Sequence, residues 1–287
     1  MANLKEIRSR ITSVGSTMQI TSAMKMVSAA KLKRAQDAIT QMRPYATKLT
    51  ELLENLSASL DGSDQGAYSK NRDIKNILLV SVTSNRGLCG GFNANIIKKV
   101  KNLINDDYSN INTSILSIGK KSSEHFEKNG FNVIGKHDYL FGDLTFENVS
   151  KVAESIMKEF VSGNYDKVVL IYNQFKNAAT QIVMVENFLP VKANNNTGSN
   201  SGQYIFEPEK QEIVKQLIPK SLKTQLFKAV LDSHASEHGS RMTAMHKATD
   251  NAGELKKELT LTYNKARQAA ITGEILEIVG GAEALNG

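Results

Sequence analysis

The sequence is poor in the residues that crosslink or crowd a small compact fold. One of its 287 residues is cysteine, none is tryptophan, and aromatic residues make up only 6%. The lone Cys89 excludes an internal disulfide framework and any metal site built from several cysteines, and it favours a reducing compartment. No apolar run reaches the roughly eighteen residues of a membrane-spanning helix. The composition, with nine methionines, favours long helices that meet through small or flexible side chains.

Proline is also scarce, with four residues in the chain and none after Pro219. The stretch from Pro219 to about Leu285 is compatible with one helix, which would span roughly 90–100 Å. A helix of that length must leave its own domain and lie against something else. Its three- and four-residue steps are typical of a two-helix seam. The predicted seam residues are Met242, Met245, Thr249, Ala252, Leu255 (or Lys256), Leu259, Tyr263, Ala266 and Ala270.

The N-terminal segment, residues 3–57, has the same spacing and is predicted to form a second long helix. Its seam residues are Leu4, Ile7, Ile11, Val14 and Met18, continued by Met24, Val27 and Ala30. Pro44 is a potential kink, because proline removes one helical hydrogen bond. We expect the two terminal helices to pair as an antiparallel coiled coil.

Acidic residues are scarce in the first fifty positions, which hold nine basic and two acidic residues. The remainder is neutral, so the whole net charge of +7 lies at the N-terminus. This distribution predicts an acidic partner, which could be nucleic acid, an anionic protein surface or a lipid headgroup layer. A merely solvated basic helix face is the ordinary alternative.

Between the terminal helices, apolar runs alternate with helical patterns, which is typical of a doubly wound, mostly parallel α/β domain. Residues 58–73 form a polar connection before it, and residues 193–203 an exposed loop after it. The expected domains are residues 1–57, 73–192 and 207–287, with a short helix over Glu207–Leu217 and Pro219 opening the long one. The predicted strands are Ile77–Val82, Ser114–Ile118, Phe131–Ile134, Val168–Tyr172 and Ile182–Phe188, and the predicted helices between them are Asn95–Ile104, Ser122–Asn129 and Phe146–Ser162.

No motif in the sequence is typical of a catalytic site. The glycine-rich turn Ser84–Phe92 could cradle a phosphate at a helix N-terminus, but its spacing matches neither of the two common phosphate-binding patterns, so a structural turn is favoured. His234 and His238 lie four residues apart and could bind a metal on one helical face, but the HExxH motif is missing and a long solvent-facing helix disfavours a metal site. Glu274 and Glu277 have no enclosing pocket in sequence and fit a partner contact better than acid–base chemistry. We therefore expect no catalytic residue, cofactor or metal.

Four stretches resemble the gamma subunit of F-type ATP synthases. These are LKEIRSRITSV with ITSAMKMVSAAKLKRAQ (4–14 and 20–36), SNRGLCGG (84–91), MTAMHKATDNAGELKKELTLTYNKARQA (242–269) and ITGEILEIVGGAEAL (271–285). They occur in the family's order and cover essentially the whole chain. The signature residues of the last stretch are Ile271, Thr272, Glu274, Glu277, Gly281 and Ala282.

The resemblance implies a bacterial-type rotor shaft, with ATP made or hydrolysed on the beta subunits of a surrounding alpha–beta hexamer. It implies that the α/β domain is a foot on the membrane ring of c subunits, beside epsilon, with delta in the same complex. It implies beta catch-loop contacts at Arg267 and Gln268. The implied lever contacts are Met24, Lys31, Lys33 and Arg34, and the implied upper bearing comprises Ile275, Ile278, Val279, Ala282 and Leu285.

Two other functions remain to be separated from the rotor. An α/β enzyme with a helical arm would bind a nucleotide or turn over a substrate alone, and a coiled-coil DNA-binding scaffold would retard duplex DNA with a strong salt dependence. The rotor interpretation expects no nucleic acid and no direct small-molecule substrate. It places the chain peripherally on the cytoplasmic face of a bacterial inner membrane. A cleaved transit peptide is disfavoured because the seam begins at Leu4 and because Glu6 and Asp37 interrupt the basic segment.

Overall fold

The computed structural model describes residues 4–57, 67–69, 72–191 and 210–286, apart from the side chains of residues 50, 53–57, 210–215, 285 and 286. The predicted connection at 58–73 is mostly outside this part of the chain, and the predicted loop at 193–203 is wholly outside it. Five α-helices and five β-strands occupy the described residues. The helices are α1 (Leu4–Ser57), α2 (Phe92–Asn102), α3 (Lys120–Lys128), α4 (Phe146–Val161) and α5 (Lys210–Asn286). The strands are β1 (Asn76–Val82), β2 (Asn112–Ile118), β3 (Val133–Lys136), β4 (Lys167–Phe175) and β5 (Gln181–Leu189).

The chain divides into two compact units. One comprises Met1–Ser28 with Met242–Gly287, and the other comprises Ala29–Arg241. Both divisions fall inside long helices, since α1 and α5 each contribute to both units. The larger unit contains the sheet.

The sheet has the strand order β3-β2-β1-β4-β5. Strand β1 pairs in parallel with β2 and β4, and β3 is parallel to β2. Only β5 runs antiparallel, on β4. This order, with helices on both faces, confirms the predicted doubly wound and mostly parallel domain.

Two apolar layers cover the sheet because the strand side chains alternate between its faces. Leu78, Val80 and Val82 of β1 contribute to the layer that includes α4 and the first part of α5. Ile77 and Leu79 contribute to the opposite layer, with α2 and α3. Burial on both sides explains why β1 reads as a continuous apolar run rather than an alternating one.

The prediction of a new helix beginning at Pro219 is wrong. A single helix, α5, runs from Lys210 to Asn286 with Pro219 inside it. Proline removes one main-chain hydrogen bond there. Ile218 and Leu222, which flank it, are only 3% exposed in the apolar layer against the sheet, so packing holds the helix through the proline. Pro44 likewise lies inside an uninterrupted α1.

Other element boundaries shift by a few residues. Helices α2 and α3 begin at Phe92 and Lys120, earlier than predicted, and β3 spans Val133–Lys136 rather than Phe131–Ile134. The chain leaves α3 through Gly130, whose φ of 76° belongs to the left-handed region. The turn therefore takes up residues that the apolar pattern had assigned to the strand.

Candidate partner-binding surface

Helices α1 and α5 pair in the smaller unit, and this pairing positions the first residues of the candidate partner-binding surface. The Thr249 hydroxyl donates a hydrogen bond to the Thr21 hydroxyl across a 2.8 Å Oγ1–Oγ1 distance. A Cβ on Gly253 would lie 3.8 Å from the sulfur of Met18, and one on Gly15 would lie 3.7 Å from Nζ of Lys256. Residue numbers fall along α1 as they rise along α5, so the pair is antiparallel, as predicted.

The seam of α5 follows the predicted positions and resolves their ambiguity. Leu255 is 46% exposed whereas Lys256 is partly buried, so Lys256 occupies the seam. A lysine can do this because its aliphatic stem packs while its ammonium group reaches solvent. Met245 and Ala252 are the most buried members, at 4% and 8% exposure.

The continuation of the α1 seam through Met24, Val27 and Ala30 is wrong. The heptad steps from Met18 pass through Thr21 and Ser28, which are 9% and 3% exposed, while Val27 is 57% exposed. These polar residues fit because the Thr21 and Ser28 hydroxyls also donate to main-chain carbonyls one turn earlier, at 3.1 and 2.7 Å. Small hydroxyl residues thus replace apolar ones where the helices lie close.

The end of α5 has no cover from the described part of α1. The register places Leu4, where α1 begins, level with Arg267. Past this level α5 continues to Asn286, and its large apolar side chains are about half exposed or more. They are Ile271, Ile275, Leu276, Ile278 and Val279, at 48–72% exposure.

The predicted site residues on this segment are all solvent-facing where the structure describes them. Arg267 and Gln268 are exposed neighbours at the level where α1 begins. Thr272 is also exposed, and its hydroxyl donates to the Gln268 carbonyl at 2.9 Å. The side chain of Leu285 lies outside the described residues. The other exposed members are Glu274, Glu277, Gly281 and Ala282.

The predicted basic surface lies on α1. Lys31, Lys33 and Arg34 are exposed, while Met24 is partly buried. Lys33 forms an exposed ion pair with Asp37 at 3.0 Å, a contact that contributes little to stability. Lys31 and Arg34 are exposed cations on the same helix, and Lys31 acts electrostatically on His234 and Glu237 of α5.

The glycine-rich turn after β1 presents carbonyl oxygens to α5. Ser240 donates to the Cys89 carbonyl at 2.7 Å, and Arg241 donates to the Arg86 and Gly87 carbonyls at 3.0 and 3.2 Å. A phosphate site needs converging N–H groups, whereas these groups are acceptors. The arrangement favours the structural interpretation of the turn.

Cys89 and the histidine pair are inward-facing. Cys89 is 2% exposed, and its burial raises the pKa of the thiol, which disfavours the reactive thiolate. The Nε2 atoms of His234 and His238 lie 3.1 Å apart. Burial lowers the pKa of His234 to about 4 and of His238 to about 3. Across the described residues, no three potential metal ligands come together.

Sequence reasoning missed Ser236, Ser240, Arg241 and Asp232, which hold α5 on the sheet edge. The sequence did contain a signal that these polar residues are buried, because they share a stretch with the apolar Ala229, Val230 and Ala235. Buried polar side chains on a packed helix require hydrogen-bond partners. The identity of those partners was not readable from the spacing.

The fold and these surfaces define a class of protein with paired N- and C-terminal helices and a doubly wound domain inserted between them in the sequence. The ATP synthase family model matches residues 3–285. The ATP synthase gamma chain of Flavobacterium johnsoniae is 65% identical over 288 residues, and that of Christiangramia forsetii is 61% identical over 287, each alignment covering all of both chains.

Solved structures agree with this match. A chain of the Tetrahymena thermophila mitochondrial ATP synthase central stalk and c-ring is 28% identical, with a TM-score of 0.61, over 80% of this chain and 99% of that one. A chain of the Euglena gracilis mitochondrial rotor shares the fold at 22% identity, with a TM-score of 0.68, over 93% and 98%. This chain belongs to the ATP synthase gamma chain family. In the part that the structure describes, none of its helices is both long and apolar enough to cross a bilayer.

Proposed function

We propose that this chain is the central rotor shaft of an ATP synthase, coupling ion flow through a membrane rotor ring to ATP synthesis or hydrolysis. The observation that carries the proposal is the end of α5, a single helix with exposed apolar side chains and no cover from the described part of α1. Exposed apolar surface of this kind marks a protein interface. Membership of the gamma chain family supports an ATP synthase as the complex that contains the partner of this surface.

Catalysis belongs to the beta subunits in this proposal. The chain's own contribution is mechanical, because an asymmetric shaft that turns inside a ring presents a different face to each beta subunit in succession. The inward-facing Cys89 and the His234–His238 pair, whose pKa values burial lowers, support a non-catalytic chain.

The contacts with the hexamer follow the order of residues along the helices. Arg267 and Gln268 hydrogen-bond the beta catch loops, because both are exposed at the level where α1 begins. Lys31, Lys33 and Arg34, with Met24, meet acidic lever segments of beta. The far end of α5 turns inside the apolar upper bearing of the hexamer, which it contacts through Ile275, Ile278, Val279, Ala282 and Leu285.

The α/β domain is the foot of the rotor. It contacts the ring of c subunits and the epsilon subunit, with delta elsewhere in the same complex. This places the chain at the cytoplasmic face of a bacterial inner membrane through its partners. No nucleic acid or small-molecule substrate has a role.

The test is reconstitution with alpha, beta and epsilon subunits and the membrane ring in vesicles. The full chain is compared with one that ends at Lys265, which lacks the catch residues and the bearing. We expect the full chain to support ATP-driven ion pumping and the truncated chain to pump less per ATP hydrolysed.

The full-length double variant Arg267→Ala/Gln268→Ala tests the catch residues without removing the rest of the helix. Lys265→Ala, at a neighbouring exposed position, is the matched control. Coupling equal to that of the control would remove the proposed role of Arg267 and Gln268. A full chain that fails to assemble, or that binds nucleotide or duplex DNA by itself, would contradict the rotor function.

A further inference from the structure

The carboxyl edge of the sheet contains the crevice where doubly wound domains bind their ligands. From β1 the chain passes to β2 and then to β3 on one side of the sheet, whereas β4 pairs with the opposite side of β1. Ligands of open α/β sheets occupy this position, where the strand order reverses. In this chain the loop after β1 and the end of β4 are instead contacted by α5.

Several side chains of α5 make these contacts, and we name three of them, Ser236, Ser240 and Arg241, the crevice clamp. The Ser236 hydroxyl donates to the carbonyl of Asn173 in β4 at 3.0 Å. The Ser240 hydroxyl donates to the Cys89 carbonyl at 2.7 Å. Strand β4 and the loop that follows its parallel neighbour β1 are therefore tied to the same helix.

Arg241 closes the clamp over the glycine-rich turn. One of its terminal nitrogens donates to both the Arg86 and the Gly87 carbonyls, at 3.0 and 3.2 Å. Its side chain is only 9% exposed, and Glu237 one turn earlier on α5 pairs with it. Burying this guanidinium is feasible because its charge is paired and its N–H groups find acceptors.

Close packing accompanies the hydrogen bonds. A Cβ on Gly239, in the middle of the clamp, would lie 3.2 Å from the Cα of Ala178 in the turn after β4. A main-chain neighbour at that distance cannot give way easily. Glycine thus lets α5 approach the sheet edge closely enough for Ser236 and Ser240 to reach their carbonyl acceptors.

We propose that the crevice clamp is the positioning joint that makes the α/β domain and α5 turn as one piece. This inference rests on the proposed rotor function. Apolar packing is non-directional, so it resists separation of two surfaces better than their sliding. Hydrogen bonds weaken steeply when their geometry is distorted, so the clamp supplies the resistance to sliding that torque transfer requires. The ligand crevice of the fold is used here for mechanical coupling.

The test is Ser236→Ala/Ser240→Ala in the full complex in inverted membrane vesicles, with Ser233→Ala as control. Ser233 lies on the same helix at 1% exposure, and its hydroxyl has no hydrogen-bond partner among the described residues. Of the two deleted hydrogen bonds, only the one from Ser240 reaches residues 84–91. One ordinary net hydrogen bond corresponds to about a fivefold change in an opening equilibrium, so amide exchange in residues 84–91 accelerates by about that factor in the double variant.

The functional readout is the number of ions pumped per ATP. We expect ATP hydrolysis in uncoupled vesicles to match that of the control, while pumping per ATP and the torsional stiffness of the rotor fall. A merely structural role would lower the amount of assembled complex and leave the ratio unchanged. If the double variant assembles poorly, the single variant Ser240→Ala is measured in the same assay. A lower number of ions pumped per ATP supports the clamp, and an unchanged number indicates a merely structural role.

Accelerated exchange with pumping and stiffness equal to those of the control would overturn the clamp. That result leaves the rotor function standing, because the unsubstituted chain remains coupled. Failure of the unsubstituted chain to couple at all would instead contradict the rotor function itself.

Discussion

Asp232 is completely buried on α5 and accepts a hydrogen bond from the Arg43 guanidinium at 2.7 Å. The same guanidinium donates to the Phe175 carbonyl at 2.8 Å. Burial raises the pKa of Asp232, and Arg43 opposes that rise. This ion pair therefore links α1, α5 and the end of β4 within one unit.

Arg43→Met should destabilise the chain by about 3 kcal/mol, because it leaves a buried carboxylate without its cation. The measurement is the free energy of unfolding from urea melts followed by circular dichroism. Lys33→Met is the control, since its partner Asp37 is exposed, and it should change that free energy by less than about 0.5 kcal/mol. Equal effects of the two substitutions would contradict this role for the Arg43–Asp232 pair.

The histidine pair predicts a pH dependence with a definite sign. Burial lowers the folded-state pKa of His234 to about 4 and of His238 to about 3, with Lys31 and Arg241 adding repulsion. An unfolded histidine titrates near 6.5. The unfolded state therefore binds protons first, and the stabilisation present above about pH 6.5 is lost as the pH falls toward 4.

We expect His234→Gln/His238→Gln to reduce the loss of unfolding free energy between pH 7 and pH 4.5 by about 2–4 kcal/mol. Comparing variant with parent over the same pH range isolates the histidines from the buried Asp232 and Glu237, whose raised pKa values act in the opposite direction. His246→Gln is the control, because that side chain is 56% exposed. An unchanged pH slope in the double variant would refute the prediction.

The elements show which parts of the fold local pattern can specify. Strand β1 was readable because burial on both faces makes it continuously apolar. The α1 seam was misread after Met18 because Thr21 and Ser28 are polar by type yet buried through hydroxyl bonds to the helix itself. The continuity of α5 through Pro219 was not readable, because it depends on packing against a distant sheet.

Two glycines of α5 should respond oppositely to the same substitution. A Cβ on Gly253 meets only the Met18 sulfur, at 3.8 Å, which is an ordinary contact. Gly253→Ala should therefore stabilise the helix by about 0.5–1 kcal/mol through helix propensity. Gly239→Ala faces the Ala178 main chain at 3.2 Å and should destabilise the chain.

Urea melts measure the free energy of unfolding of both glycine variants, and each variant is the control for the other. Changes of the same sign would contradict the packing described for one of them. The comparison also tests the crevice clamp indirectly, because Gly239 lies between Ser236 and Ser240.

On the scale of the whole molecule, the sequence predicted two terminal helices, their antiparallel pairing and the inserted doubly wound domain. The exposed end of α5 followed from the same argument, because a helix longer than its domain must lie against a partner. The occupation of the sheet crevice by α5 could not be predicted. It depends on contacts between residues about 60 to 155 positions apart, such as Arg241 with the Arg86 carbonyl.

The proposed rotor function requires that this chain turn within an alpha–beta hexamer. The most direct measurement attaches a fluorescent or bead probe to the α/β domain, assembles the chain with alpha and beta subunits fixed to a surface, and adds ATP. We expect sustained rotation of the probe in one direction, with the rate set by ATP concentration. An assembled complex that hydrolyses ATP at its full rate while the probe stays still would contradict the rotor function.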